Sequence, residues 1–429
     1  MRNTLSYKDI ISNLMTFANN YNLVGLGLRG ASIFGKFILV TYLATVFSLA
    51  DLGIYGLFIT SVVLVTYLLG LEFHTYTTRE ILAVKPEARP NIVLNQIVMH
   101  VGAYLLVLPF VLLIFWGGFL PWSTALLFYV VVIFVHIGQE IYRILIILSR
   151  PTAAYLVSFL LHGSWTFVVI LVAWLWPAWQ NLNVIFSLWA GSAFLGVIVG
   201  AILLTQMGLL HFQKKNVDFT WIWQGIQVGY KFFIGIIAYR IIDLSDRYFV
   251  QFFHGDTEVG IYTLFGSIAN IAQEFVFAGF VSIIFPKIVS SLERGDLVTY
   301  RTQLQRLKQS VFRGSMIIGL VLTVGIYLLI FLLQREELLA ALPAYFLLLG
   351  SAIVLNLSMI PHYQLYAHGQ DRRIMWAVIW GLGLNLILNT ILIPSFSIIG
   401  AALATILSFS VVGVLKWWFA RQIVGGSNQ

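Results

Sequence analysis

Apolar runs of roughly 20 residues, the length that carries a helix across a bilayer core, follow one another along the whole chain. Bounded by turn and charge signals, they predict helices near 22–45, 52–73, 94–116, 121–148, 152–176 and 183–207, then near 222–250, 259–285, 309–333, 342–366, 374–393 and 397–419. No stretch between them is long enough for a soluble domain. Ahead of the first run, Ile10, Ile11, Leu14, Met15, Phe17 and Ala18 fall near one helical face, as in a short helix lying on a bilayer surface; a plain cytosolic tail fits equally well. That segment has no continuous apolar stretch and no small-residue cleavage site, so no signal peptide is expected and Met1 stays.

The second half repeats the first. Asp51-Leu-Gly-Ile-Tyr-Gly-Leu-Phe58 and Glu258-Val-Gly-Ile-Tyr-Thr-Leu-Phe265 agree at Gly, Ile, Tyr, Leu and Phe, and each opens the second helix of a six-helix set. Equivalent placement gives both halves the same orientation, a parallel repeat with two bundles related by an axis along the membrane normal. The expected fold is therefore an all-α polytopic membrane protein of about 12 spans in two six-helix lobes. Its parts are an interfacial or cytoplasmic segment 1–21, a first lobe 22–207, a cytoplasmic linker 208–221, a second lobe 222–419 and a tail 420–429. Parallel lobes suit alternating access by rocking better than a fixed pore.

Composition narrows the class. Hydrophobic residues make up 60% and charged residues 10%, against about 25% charged in soluble domains, which excludes a soluble globular enzyme. The chain has no cysteine, so disulfides, thiolate metal sites and cysteine nucleophiles are excluded. An even number of spans puts both termini on one side. With the N-terminus cytoplasmic, 19 of the 25 Lys and Arg fall on cytoplasmic segments or span ends, five fall inside spans and Arg335 alone is outside, as the positive-inside rule demands. The net charge of +8 then faces anionic lipid headgroups, and nucleic acid is not an expected partner.

The five basic residues inside spans carry the functional signal. A charge at a span centre costs roughly 2.5–3.5 kcal/mol, so it faces a cavity or a partner. Lys231, Arg240, Asp243, Asp246 and Arg247 share one span; all facing lipid, they would cost on the order of 10 kcal/mol. Arg240, Asp243 and Arg247 lie at i, i+3 and i+7 and can pair among themselves, whereas Lys231 is about half a turn out of phase. Arg29 and Lys36 lie on one face of the first span with no acid in that stretch. Cations on equivalent first helices fit a central cavity that receives phosphate, diphosphate or acidic sugars. Bridges from Arg29 or Lys36 to Glu274, Asp243 or Asp246, or snorkelling of Arg29, account for the same charges structurally. Ser267, Asn270 and Glu274 form a polar stripe at i, i+3 and i+7, where a carboxylate could couple a proton or Na+ or pair with a cation. His100, His136, His162 and His362 stand singly in or near spans and read as hydrogen-bonded packing residues.

Other motifs carry no chemistry. Gly30 to Lys36 imitates a phosphate loop, but Phe37 replaces its Ser/Thr and no strand precedes it. Asn356-Leu-Ser358 lies inside a span, and the spacings Gly196/Gly200 and Gly225/Gly229 read as close-packing sites. No metal-spaced histidine pair and no nucleophile elbow is found, so no catalytic site, metal or cofactor is expected.

Asn385-Leu-Ile-Leu-Asn389-Thr-Ile-Leu-Ile-Pro394 with Gly400-Ala-Ala-Leu-Ala-Thr405, Asp246-Arg-Tyr248 with Val259-Gly-Ile-Tyr262, and Phe285-Pro286-Lys287 together resemble the signature of the polysaccharide transport family. That family belongs to the multidrug/oligosaccharidyl-lipid/polysaccharide (MOP) flippase superfamily. The resemblance implies a V-shaped, MATE-like fold in the bacterial inner membrane that turns undecaprenyl-diphosphate-linked oligosaccharides from the cytoplasmic to the periplasmic leaflet for O-antigen, capsule or exopolysaccharide assembly. Arg29, Lys36, Lys231, Arg240 and Arg247 would then be counter-charges for the cargo, with Asp243, Asp246, Asn270 and Glu274 serving ion coupling or charge pairing. Anionic membrane lipids are further partners, and the resemblance leaves room for a polysaccharide polymerase and a chain-length regulator. A multidrug or small-solute antiporter of the same superfamily is the competing expectation, disfavoured by the cationic bias; a scaffold in a polymerisation complex is a third.

Overall fold

A computed structural model describes residues 7–212 and 217–426, with side chains from 24 to 212, Leu26 excepted, and from 217 to 423. Its regular structure is helical throughout: α1 (Tyr7–Val46), α2 (Leu49–Gly70), α3 (His74–Ala83), α4 (Arg89–Trp116), α5 (Ala125–Ile147), α6 (Pro151–His162), α7 (Ser164–Leu175), α8 (Leu182–Gln206), α9 (Phe219–His254), α10 (Asp256–Val276), α11 (Ser282–Glu293), α12 (Leu297–Leu333), α13 (Glu336–Ala340), α14 (Leu342–Ala367) and α15 (Asp371–Gly426). The apolar face from Ile10 to Ala18, and Lys214 and Lys215 of the linker, lie outside the described side chains.

Among the described residues, ten stretches are long and apolar enough to cross a membrane. The last, Asp371–Ile423, bends at Ser397, whose φ of 49° and ψ of −132° are not helical. Pro394, which has no N–H to donate, stands just before the bend. Gly400 just after it lies so close to the Leu392 carbonyl that a Cβ would collide. The stretch thus holds the two spans predicted near 374–393 and 397–419, and α1 covers the first predicted span. The chain is an all-α polytopic protein. Met316, Ile317, Leu320, Val321, Val324 and Leu328 of α12 are exposed, an apolar face that hydrocarbon solvates and water would not.

Contacts divide the chain into two compact units, one of Met1–Leu39, Val65–Leu113 and Pro121–Tyr230, the other of Val40–Leu64, Ile114–Leu120 and Lys231–Gln429. In the first, α5 packs on α6 and α8. Lipid gives apolar helices no hydrophobic reason to associate, so close backbone approach must supply the attraction. Glycines allow it here: Gly138 faces Leu161, Gly196 faces Leu160, Gly200 faces Ile141, and Gly225 and Gly229 admit the Phe73 ring and the Leu71 carbonyl. The Trp165 and Trp189 rings stack at 5.0 Å, and the Trp189 indole donates to the Leu161 carbonyl.

In the second unit α14 packs on α10, α12 and α15. Asn356, fully buried, ties three of these helices by donating to the Ala272 carbonyl at 3.2 Å and the Ser315 hydroxyl at 3.1 Å. A π-helical turn, Phe277–Val281, separates α10 from α11. Asp296 caps α12 by accepting the Thr299 amide at 2.9 Å, and hydrogen bonds from Thr299 hold its carboxyl below the usual carboxylate range.

The two repeat copies meet in this unit, α2 against α10. A Cβ on Gly53 would strike the Asp256 carbonyl and one on Gly260 would strike the Leu49 carbonyl. These contacts exchange under one shift, since 49 to 256 and 53 to 260 are the same step of 207 positions. Gly56 faces Thr263, its own counterpart. The crossing is therefore locally two-fold, and Tyr55 and Tyr262 are both buried beside it. Because the obstructing atoms are backbone, Gly53→Ala or Gly260→Ala is expected to cost about 1–3 kcal/mol or more, as overpacking does. Gly102→Ala in α4, with nothing within 4 Å, is expected to be neutral or slightly stabilising. Thermal unfolding of the detergent-solubilised variants checks this; equal melting of Gly53→Ala and Gly102→Ala would contradict the crossing.

Candidate functional site

Three charged residues of α9, Asp243, Asp246 and Arg247, line a cleft inside the second unit, and Arg240 stands one turn before them. The cleft wall includes Asp243, Asp246, Arg247, Tyr262, Asn270 and Thr405. Arg240 Nη1 lies 3.3 Å from Asp243 Oδ2, the i, i+3 pair that the sequence allowed. Arg247 donates to the Asp243 main-chain carbonyl at 3.3 Å and stands 5.5 Å from the centre of the Tyr262 ring. Gly266 leaves the room its guanidinium uses, for a Cβ there would come within 3.1 Å of it.

Asp246 is the buried member, 1% exposed. Its Oδ2 accepts from the Tyr262 hydroxyl at 2.5 Å and from the Thr405 hydroxyl at 2.6 Å, while Oδ1 is buried with no hydrogen bond. A lone carboxylate in such a place would be too costly to keep charged. Two hydroxyl donors and the neighbouring Arg247 guanidinium supply what water would otherwise give. Two guanidiniums thus balance two carboxylates on α9. The cleft is polar without a large net charge. Deeper in the unit, Asn385 and Asn389 are fully buried; Asn389 donates to Asn385 Oδ1 at 3.1 Å, and the Ser245 hydroxyl approaches the same oxygen at 3.4 Å.

Of the residues singled out in the sequence, Arg240, Asp243, Asp246, Arg247 and Asn270 come together here. Lys231 and Glu274 are exposed and stand outside the cleft wall. Arg29 belongs to the first unit, where its guanidinium lies 4.5 Å from the centre of the Tyr155 ring and 3.4 Å from the Tyr142 hydroxyl. Lys36, in the same unit, is exposed. Within that unit and among the described residues, no carboxylate lies within ion-pair distance of Arg29 or Lys36. Tyr262, Thr405 and Gly266 were not expected at the site. Tyr262 and Thr405 stood in the sequence only as letters of motifs, and their one signal was that both motifs also hold residues of this cluster or its support.

No known protein family's sequence profile matches the chain. An uncharacterized membrane protein of Methanocaldococcus jannaschii is 27% identical over 196 residues, which span 44% of this chain and 38% of that protein's length. Solved structures agree over nearly the whole chain. An inward-facing multidrug resistance MATE family transporter of the MOP superfamily matches with a TM-score of 0.69 at 12% identity, covering 94% of this chain and 98% of the other. An outward-facing structure of such a transporter gives 0.60 at 12% identity over 94% of both chains. A mutant of the Vibrio cholerae MATE transporter VcmN gives 0.56 at 13% identity, covering 97% and 98%. The chain has the MATE fold.

Tyr262→Phe and Thr405→Val each remove a donor from the buried Asp246 carboxylate and are expected to cost about 1–3 kcal/mol. Because both act on one oxygen, their effects should not add. Unfolding temperatures of the two single variants and the double variant measure this, and parental melting of both single variants would show that the carboxylate does not depend on them.

Proposed function

We propose that this chain is a secondary transporter, without a catalytic site, that moves lipid-linked oligosaccharides across the cytoplasmic membrane by alternating access. The observation that carries the reading is a pair of cations in the first predicted span, Arg29 and Lys36, with no carboxylate among the described residues of their own unit within ion-pair distance. In this reading a span charge that lacks an acidic partner meets a ligand, and that ligand is anionic. Undecaprenyl diphosphate fits, since its diphosphate needs cations and its sugars need hydroxyl-binding groups such as those of the α9 cleft. The Tyr155 face beneath Arg29 holds the guanidinium in place by cation–π attraction; one N–H group donates to the Tyr142 hydroxyl, and in this reading others bind phosphate oxygens. Lys231, Arg240 and Arg247 are secondary contacts in this reading, because Arg240 is already paired. A polymerase and a chain-length regulator would receive the product.

One observation favours a second reading. Asp243 and Asp246 put as many carboxylates as guanidiniums at the cleft, and solved proteins of this fold include multidrug resistance transporters. An antiporter for cationic solutes would use those carboxylates and leave Arg29 and Lys36 idle.

Flipping of a labelled lipid-linked oligosaccharide in proteoliposomes separates the two. Arg29→Ala and Lys36→Ala are each expected to slow it roughly 10- to 100-fold, the worth of one charge-assisted contact, with Arg29→Lys retaining part of the rate. Undiminished flipping in the Arg29→Ala/Lys36→Ala double variant, inserted normally, would reject the anionic-cargo site. Cation export with no flipping would establish the antiporter.

A further inference from the structure

The first unit holds a second polar cluster, which the cargo reading does not use. His100 on α4 and His136 and Glu140 on α5 are all buried, and one donor atom from each lies within 4.8 Å of the others. His100 Nε2 is 3.6 Å from Glu140 Oε2, and His136 Nε2 is 4.0 Å from Glu140 Oε1. The imidazole rings meet edge to face with centres 4.7 Å apart.

We infer that His100, His136 and Glu140 form a binding site for a divalent transition metal of the zinc type. Two imidazoles and a carboxylate are a donor set that such ions favour over Mg2+ or Ca2+. A tetrahedral ion with bonds of about 2.0–2.2 Å keeps its ligands roughly 3.3–3.5 Å apart. The histidine–carboxylate separations of 3.6 and 4.0 Å, each to a different carboxylate oxygen, and a histidine–histidine separation of at most 4.8 Å therefore need to close by up to about an ångström, which side-chain rotation can supply.

The surroundings fit that use. His136 Nδ1 is 2.7 Å from the Tyr104 hydroxyl; with the proton on Nδ1 donated to Tyr104, the lone pair of Nε2 points toward Glu140. That outer hydrogen bond is the usual device for fixing the tautomer of a metal-binding histidine. His136 Nε2 itself is buried with no hydrogen-bond partner, although the residue is only 1% exposed. A packing histidine would have that nitrogen satisfied. Gln96 Nε2 donates to Glu140 Oε2 at 2.7 Å, and Arg143 is hydrogen-bonded to Oε1, so the carboxylate is held from two sides. A Cβ on Gly70 at the end of α2 would stand in ordinary contact, 3.8 Å from both His136 Nε2 and Arg143 Nη1, so the glycine leaves about a methyl group's room there. Arg143 repels a cation. Ions held by strong nitrogen bonds tolerate this better than those held by charge alone, which again selects the zinc class.

The site is independent of the cargo reading, and its test does not involve transport. Full-length, tag-free protein in detergent is dialysed against Zn2+, and separately against Co2+, whose visible absorption is intense in four-coordinate geometry and weak in six-coordinate geometry. One equivalent per chain with the four-coordinate Co2+ spectrum is expected. Binding should fall at least tenfold in His100→Gln, His136→Gln and Glu140→Gln, and stay unchanged in His162→Gln and His362→Gln. Tyr104→Phe, which keeps every ligand and removes only the outer hydroxyl, is expected to bind 10- to 100-fold more weakly while remaining monodisperse, and it stands in if the ligand variants fail to fold. Absence of a stoichiometric metal in the parent protein, or full retention of it in His136→Gln, overturns the site.

Discussion

In hydrocarbon, no polar group can turn to solvent for a partner, and this constraint organises the whole molecule. It makes every element a helix, so that backbone groups are satisfied within each segment. It also means that a charged or polar side chain inside a span identifies its own neighbour. Asp246 has Tyr262 and Thr405, Arg240 has Asp243, Glu140 has Gln96 and Arg143, and Asn356 has a carbonyl and a hydroxyl on two other helices. In water each of these would be a marginal contact; here the ones that cross between helices, at Asp246, Glu140 and Asn356, fix which helices can lie together.

The same constraint explains what could be read in advance. Spans are legible because the period, length and charge exclusion of a membrane helix are local properties, and the predicted spans agree with the helices to within a few residues at most ends. The Arg240–Asp243 pair was legible for the same reason, as its members are one turn apart. Tyr262 and Thr405 were not, because their partner Asp246 is 16 residues away on another helix in one case and 159 in the other. The histidine cluster shows the limit most clearly. His136 and Glu140 stand four apart on one helix, but His100 comes from another, and read one at a time each histidine looks like a packing residue.

The two polar centres differ in kind. Around α9, opposite charges and hydroxyls compensate one another beside an open cleft, an arrangement suited to reversible contact with a polar molecule. Around Glu140, nearly all atoms are enclosed and the donors are imidazole nitrogens and carboxylate oxygens, the arrangement from which the metal site is inferred. Arg29 and Lys36 belong to neither centre.

The crossing of α2 and α10 has a consequence for how the sequence can change over time. At most packed positions, a larger residue on one side can be offset by a smaller one opposite, so pairs of sites drift together. Gly53 and Gly260 have no such escape, since what each faces is the other helix's main chain, and no substitution removes a carbonyl. The two repeated halves can differ along most of their length, yet at the point where they touch, the glycine of each copy is held by an obstacle that mutation cannot move.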